Sequence, residues 1–266
     1  MKILFPTDFS ENAQLACDTA VDIVKKAQGE LVVMHSYDLP YSDRSMTISL
    51  MEVMRENAQK NMADFAETLK DKGIKYTTKV EMGNPIRLIK SLSAELDIDM
   101  VVMGTKGASG LEEVLLGSNA ASCIQNTDVP VLVIPPRHKL ENFGKVILAT
   151  DMAFEDPAPL RDLKRFLSLY PATLEVLYIQ DGSEISKDAR QMLEQELEGI
   201  EYHLSILHGK NVEKEIITRA ESSNAQLISA VHRHYGFFEG LFHSSVTAKL
   251  AYHSSIPLLA LQEPRS

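Results

Sequence analysis

An internal duplication of about half the chain is the feature that most constrains the fold. Each half contains an apolar strand that ends in Thr-Asp, at Thr7-Asp8 and at Thr150-Asp151. Each half also closes on an apolar segment with a proline near its start, 129–134 in the first and 256–261 in the second. A repeat of this length indicates one structural pattern used twice. The 266 residues are enough for two domains of ordinary size.

Short apolar strands alternate with helical patterns along both halves. This alternation predicts an α/β fold in which a parallel sheet is covered by helices on both faces. Ligands of such sheets bind at the carboxyl ends of the strands. Asp8 ends the first predicted strand, so its side chain is expected at that edge. The polar segment from Asp38 to Leu50 is predicted to form a long connection or a lid.

A glycine-rich segment follows the fourth predicted strand, Met100–Met103. Gly104 and Gly107 allow the backbone to approach a ligand closely, and Gly117-Ser118 opens a predicted helix. The free N–H groups and the positive dipole end of a helix start favour an anion. The spacing is neither that of a Walker A loop nor that of a Rossmann fingerprint. It predicts a phosphate site, and the alternative is a tight loop whose glycines have positive φ.

This glycine spacing resembles the nucleotide-binding motif of the universal stress protein family, in the branch that binds ATP. The opening segment MKILFPTDFSENA resembles the family at the matching place. The resemblance implies two tandem domains, each with a five-stranded parallel sheet of order 3-2-1-4-5, at residues 1–138 and 144–266. It also implies an ATP site. The residues it assigns to that site are Pro6, Thr7, Asp8, His35, Ser36, Met103, Gly104, Lys106, Gly107, Gly117, Ser118 and Asn119.

Several of these residues have a second interpretation. Asp8 would accept hydrogen bonds from ribose or adenine, but Asp8 or Ser10 also suits the capping position of the following helix. Met103 is equally suited to the core of its strand. Lys106 adds positive charge near phosphates, whereas a single loop lysine is as often only solvated.

The second half departs from the glycine pattern. An ungapped alignment of Pro257 with Pro130 sets Val231, His234, Ser244 and Ser245 against Gly104, Gly107, Gly117 and Ser118. Bulky residues therefore replace the glycines, and ATP binding in the family manner is not expected there. A helix is predicted at residues 245–252.

Histidines are concentrated in the second half, and three of them, His232, His234 and His243, surround one loop. They are the candidate ligands of a zinc site. Because no fixed ligand spacing accompanies them, surface or partly packed imidazoles remain the alternative. Together with Arg233 they would otherwise bind a different anionic ligand, more strongly as the pH falls through the histidine range.

Charge and cysteine content restrict the partners. Division after Phe143 gives 15 basic and 20 acidic residues, then 12 and 17, so each half has a net charge of −5. Such halves show no basic stripe for nucleic acid. Cys17 and Cys123 are the only cysteines and are expected to be reduced core thiols. No apolar run approaches the roughly 18 residues that span a bilayer, and no leader pattern is seen, so a cytoplasmic protein without membrane contact is expected.

These observations predict an ATP-binding stress-response protein that acts as a nucleotide-dependent regulator or interaction module. ATP would bind alone or with Mg²⁺, the two halves would pack as a pseudo-dimer with homodimers also open, and a protein partner is expected. Little or no turnover is expected, because Glu112 and Glu113 lie beyond the glycines and no histidine is placed to activate Ser118. The alternatives are a slow ATP hydrolase or nucleotidyl-transfer enzyme, and an interaction scaffold that needs no nucleotide.

Overall fold

A computed structural model provides the coordinates of the chain. It describes residues 1–38, 48–105, 118–136, 143–180, 185–209, 211–232 and 256–264. The predictions for Leu39 to Thr47, for Lys106 to Gly117 and for the helix at 245–252 lie outside these residues.

The first half alternates strands and helices as the sequence predicts. Its elements are β1 (Lys2–Pro6), α1 (Glu11–Ala27), β2 (Glu30–Tyr37), α2 (Ile48–Lys70), β3 (Lys75–Met82), α3 (Pro85–Glu95), β4 (Met100–Gly104), α4 (Ser118–Asn126) and β5 (Val131–Ile134). The start of α2 was predicted wrongly, since residues 48–50 were assigned to the irregular connection. They form the first turn of α2, because the apolar residues Ile48 and Leu50 extend the helical sequence pattern that follows.

The second half repeats this order. Its elements are β6 (Lys145–Thr150), α5 (Ala158–Leu167), β7 (Thr173–Gln180), α6 (Lys187–Glu196), β8 (Tyr202–His208), α7 (Val212–Ser222), β9 (Leu227–His232) and β10 (Leu258–Gln262). The match of β6 to β1 and of β9 to β4 places Asp151 where the first half has Asp8.

The ten strands of the described segments form one sheet of order β3-β2-β1-β4-β5-β10-β9-β6-β7-β8. Within each half the pairing is parallel and the order is 3-2-1-4-5, as the family resemblance implies. The two halves meet where β5 pairs antiparallel with β10, with Leu132 opposite Leu259. The halves are therefore joined edge to edge through their backbones.

Alternate residues of each strand enter two different cores. Ile3 and Phe5 belong to a core that includes residues of α1, α2, α5 and α6, whereas Leu4 belongs to the core on the other face, with residues of α3, α4 and α7. Each core includes residues from both halves. Successive side chains of a strand point to opposite faces of the sheet, and both faces are buried here. The central strands are therefore apolar at nearly every position.

Both cysteines lie in these cores. Cys17 of α1 and Cys123 of α4 are buried and form no disulfide. Burial raises the pKa of each thiol to about 12, so neither is ionised at neutral pH. They are the core thiols that the sequence predicts.

Among the helices of the described segments, none has the length and apolar character needed to cross a membrane.

Candidate functional site

A cavity of about 330 Å³ lies at the carboxyl edge of the first-half sheet. Its walls come from the ends of β1, β2 and β4 and from the starts of α3 and α4. The structure gathers around it these residues assigned to the site from the sequence: Pro6, Thr7, Asp8, His35, Ser36, Met103, Gly104 and Asn119. Residues from several separate segments of the chain thus meet at one place.

A tight turn after β1 presents Asp8 at the cavity. The Thr7 amide donates to the Met34 carbonyl (2.8 Å), and the Thr7 hydroxyl accepts from the Phe9 amide (2.9 Å). The Asp8 carboxylate accepts from the Ser10 amide (3.1 Å). Phe9 has a φ of 63°, a left-handed conformation that a side chain of this size rarely adopts. The turn therefore holds the exposed Asp8 side chain in a defined place at the edge of the sheet.

Ser10 is the residue that caps α1. Its hydroxyl accepts from the Ala13 amide at 3.2 Å, and its backbone is extended, as is usual at this position. Of the two capping candidates in the sequence, Ser10 rather than Asp8 is the N-cap residue of α1. Capping therefore does not account for the presence of Asp8 at the cavity.

His35, at the end of β2, supports the turn. Its Nδ1 lies 2.8 Å from the Thr7 carbonyl oxygen, which can only accept, so Nδ1 bears the proton. The imidazole also packs against the ring of Phe9, with 4.4 Å between ring centroids, and Phe9 in turn contacts Phe65 of α2. The histidine thus ties the ends of β1 and β2 together beside the cavity.

The end of β4 and the start of α4 form the opposite wall. Met103 and Thr105 are buried, and the Thr105 amide donates to the Ile134 carbonyl at 3.0 Å. The α4 helix begins at Ser118, and its residues Asn119 and Ala120 reach the cavity. The first turn of a helix has N–H groups without helical partners and a positive dipole end, so this wall is suited to an anion.

The connection from β3 to α3 contributes residues that were not assigned to the site from the sequence. Gly83 and Pro85 line the cavity together with Ile89 of α3. The Gly83 amide donates to the Tyr37 carbonyl (2.9 Å), and the Asn84 side chain caps α3 by accepting from the Ile86 and Arg87 amides. The signal was present in the sequence, because Gly-Asn-Pro directly follows the third strand and therefore reaches the same sheet edge.

Asp38 and Thr105 also line the cavity without having been predicted. With Asp8, Asp38 gives the cavity two carboxylates. The Thr105 hydroxyl is buried and has no hydrogen-bond partner within the described part of the chain.

Some predicted residues cannot be placed. Lys106, Gly107 and Gly117 lie outside the described residues, and Ser118 begins α4 with its side chain likewise outside them. Of the zinc candidates, His232 is the buried last residue of β9, while His234 and His243 lie outside the described residues. Within the seven described segments, no three His, Cys, Asp or Glu side chains are grouped as a metal site requires.

Comparison with known proteins agrees with this architecture. The sequence model described as the universal stress protein family matches residues 1–135, which is half of the chain. The chain belongs to the universal stress protein family.

Two relatives of this universal stress protein come from Methanocaldococcus jannaschii, and both are themselves named universal stress proteins. One is 32% identical over 139 residues, covering 50% of this chain and 81% of the relative. The other is 28% identical over 151 residues, covering 50% of this chain and 93% of the relative. Each relative thus corresponds to about one half of the chain.

A solved universal stress protein from Archaeoglobus fulgidus matches the whole molecule. It has a TM-score of 0.78 and covers 99% of this chain and 96% of that one, at 24% sequence identity. At this identity the likeness shows the fold, which is shared across both halves.

The second half of this universal stress protein repeats the turn after the first strand. The Thr150 hydroxyl accepts from the Met152 amide (3.0 Å), and the Asp151 carboxylate accepts from the Ala153 amide (3.1 Å). Met152 has a φ of 59°, close to that of Phe9. The local geometry of the Thr-Asp turn is therefore present in both halves.

The surroundings of the second turn differ. Strand pairing places Tyr178 near the position of His35, and alignment places Val231 and His232 at those of Gly104 and Thr105. The Glu263 carboxylate accepts from the Glu155 amide at 2.9 Å, and both Glu263 and His232 are buried. Large side chains thus occupy the edge of the second sheet where the first half has a glycine and a threonine.

Proposed function

We propose that the first half binds ATP or a related adenine nucleotide in the cavity at the ends of β1, β2 and β4. The observation that supports this most directly is the meeting of the Asp8 turn, the Gly104-Thr105 strand end and the start of α4 around one cavity. This is the edge at which parallel α/β sheets bind their ligands.

The cavity suits a nucleotide in size and lining. Its volume of about 330 Å³ is within the range of small-molecule sites. Pro6, Met34, Ile89, Met103 and Ala120 give it apolar walls against which a base would pack. Polar side chains, among them Asp8, His35 and Asn119, lie at the strand ends and at the start of α4, where they can orient a ligand.

The charged parts of a nucleotide have complementary groups. Asp8 would accept hydrogen bonds from sugar hydroxyls, and the N–H groups at the start of α4 would donate to phosphate oxygens. Asp8 and Asp38 are carboxylates of the kind that bind Mg²⁺ together with phosphates. Bound Mg²⁺ would offset the repulsion between these carboxylates and the phosphates.

Function is proposed to follow from binding rather than from turnover. Residues 1–138 would form the nucleotide-binding domain, and residues 144–266 would form a degenerate domain in which side chains replace the ligand. Nucleotide occupancy would change the surface that the protein presents to a partner protein in the cytoplasm. The bulky residues at the second sheet edge support this asymmetric assignment.

The first test is occupancy. Protein purified without added nucleotide is denatured in acid, and the released small molecules are separated and compared with adenine nucleotide standards. Calorimetric titration of ligand-free protein with ATP and Mg²⁺ then measures affinity. Gly117→Val is expected to abolish binding, and Ser244→Val, at the aligned position of the second half, is expected to leave it unchanged.

One result would overturn the binding proposal, and another would overturn the proposed absence of turnover. Absence of both released nucleotide and calorimetric binding would favour an interaction scaffold that needs no nucleotide. Steady ADP formation by the wild type that disappears in Asp8→Asn would instead assign the cavity to an enzyme.

A further inference from the structure

Thr105 has a buried hydroxyl at the wall of the cavity. The residue is 3% exposed and is among those around the cavity, and its Oγ1 has no hydrogen-bond partner among the residues that the structure describes. A buried hydroxyl without a partner destabilises a folded protein, and such groups are uncommon unless a ligand or water satisfies them. We infer that the Thr105 hydroxyl binds the phosphate end of the nucleotide, an inference that rests on the proposed function.

The position of Thr105 after β4 indicates that it would meet the phosphate end of the nucleotide. The cavity extends from Gly83 after β3, past Ser36 and Asp8 at the ends of β2 and β1, to Thr105 after β4. Asn119, in the first turn of α4, also lines the cavity, and α4 is the helix that follows β4 along the chain. A nucleotide whose sugar reaches Asp8 and whose phosphates reach α4 therefore places phosphate oxygens beside Thr105.

The backbone holds this residue in place. The Thr105 amide donates to the Ile134 carbonyl at 3.0 Å, which continues the pairing of β4 with β5 for one residue beyond the strand. Since the backbone is fixed by this bond and the side chain is buried, the hydroxyl is already ordered before a ligand arrives. Little conformational freedom is lost when it donates to a phosphate.

Two other buried threonines provide a comparison for the hydrogen bonding of the Thr105 hydroxyl. The Thr127 hydroxyl donates to the Cys123 carbonyl at 2.8 Å, one turn back in α4. Thr19 of α1 is a second buried threonine whose hydroxyl has no partner among the described residues, but it is not part of the cavity wall. Thr19 therefore provides a matched control, with the same residue type and burial but no access to the ligand.

The counterpart in the second half is different. His232 occupies the aligned position at the end of β9 and is buried. The hydroxyl is thus present only in the half for which nucleotide binding is proposed.

The test compares three variants, Thr105→Val, Thr105→Ser and Thr19→Val, by calorimetric titration with ATP, AMP and adenosine. Thr105→Val keeps the shape of the side chain and removes the hydroxyl, so the affinity for ATP and AMP is expected to fall about tenfold or more, as for the loss of a hydrogen bond to a charged group. The affinity for adenosine is expected to change less than about twofold, because adenosine has no phosphate. Thr105→Ser is expected to retain binding, and Thr19→Val to match the wild type.

Urea denaturation of the ligand-free variants separates binding from folding. Both valine variants are expected to be at least as stable as the wild type, because each removes a hydroxyl that has no partner among the described residues. If Thr105→Val does not fold, Thr105→Ala removes the same hydroxyl without the second methyl group.

The outcomes distinguish the two proposals. A wild type that binds none of the three ligands overturns both. Wild-type binding of ATP with equal affinity in Thr105→Val overturns only the role of Thr105. An equal loss for adenosine and ATP would show that the hydroxyl contacts the nucleoside, and would overturn its assignment to the phosphate end.

Discussion

The Thr-Asp turn occurs twice in the molecule with nearly the same geometry and in two different settings. In both copies the threonine hydroxyl and the aspartate carboxylate accept from the amides two residues later. These hydrogen bonds stabilise the turn in both halves. They are therefore not evidence that Asp8 binds a ligand. The cavity beside Asp8 supports such a role, and the pair of turns allows it to be measured separately from folding.

Asp8→Asn and Asp151→Asn form a matched pair of variants. Asparagine keeps an oxygen that can accept from the amide two residues later, so both variants are expected to retain the stability of the wild type within about 0.5 kcal/mol. Asp8→Asn removes a carboxylate that would bind sugar hydroxyls, and ATP affinity is expected to fall about tenfold. Calorimetric titration checks the affinity. Equal affinities in the two variants would contradict the role of Asp8.

At the scale of elements, apolar runs made the strands the most predictable part of the sequence. The strands of both halves alternate with helices in the order that the sequence predicts. The pairing of β5 with β10 was not predictable, since no local pattern shows which edge strands will meet across more than about a hundred residues. Backbone pairing over such distances depends on the tertiary fold.

The site was predictable to a similar extent. The ends of β1 and β4 have motifs that resemble those of a known family. That Gly83 and Pro85 line the cavity became clear only from the strand order of the structure. Thr105 was missed for another reason. A threonine after a buried strand is common, and only its burial without a partner among the described residues distinguishes it.

The end of α1 provides a prediction about helix termination. Gln28 is the C-cap residue and has a φ of 50° and a ψ of 40°, the left-handed conformation that glycine adopts most easily. Gln28→Gly is therefore expected to raise the free energy of unfolding by about 1 kcal/mol. Gln59→Gly, an exposed change in the interior of α2, is expected to lower it by about 1 kcal/mol. Urea denaturation with both variants checks the two signs, and a loss of stability in Gln28→Gly would contradict the prediction.

For the whole molecule, polar contacts reinforce the joint between β5 and β10. Arg165 of α5 donates to the Asp99 carboxylate at 2.5 Å, and the Tyr170 hydroxyl donates to Asp22 of α1 at 2.9 Å. The Gln262 amide donates to the Ile124 carbonyl at 3.0 Å. Because both cores also include residues of the two halves, unfolding is expected to involve the whole molecule rather than one half at a time.

This joint contains a carboxyl group that should make stability depend on pH. The pKa of Asp162 on α5 is raised from an ordinary value of 3.8 to about 6, mainly by burial. Arg165 opposes this shift, and Asp99 adds to it. A pKa that is higher in the folded state than in the unfolded state means that the protonated group favours folding. The stabilisation is present below about pH 4 and is lost as the pH rises through about 6, where the buried group must ionise.

Asp162→Asn keeps the shape of the side chain and removes this ionisation. Relative to the wild type it is expected to raise the free energy of unfolding by about 1 kcal/mol at about pH 8, a value reduced for partial exposure of the group, and to change it little at about pH 4. Asp64→Asn, on the exposed face of α2, serves as the control and is expected to have little effect at either pH. Urea denaturation at the two pH values measures the difference. A destabilisation by Asp162→Asn at the higher pH would show that the ionised carboxylate helps to hold the halves together through Arg165, the reverse of the sign derived from its burial.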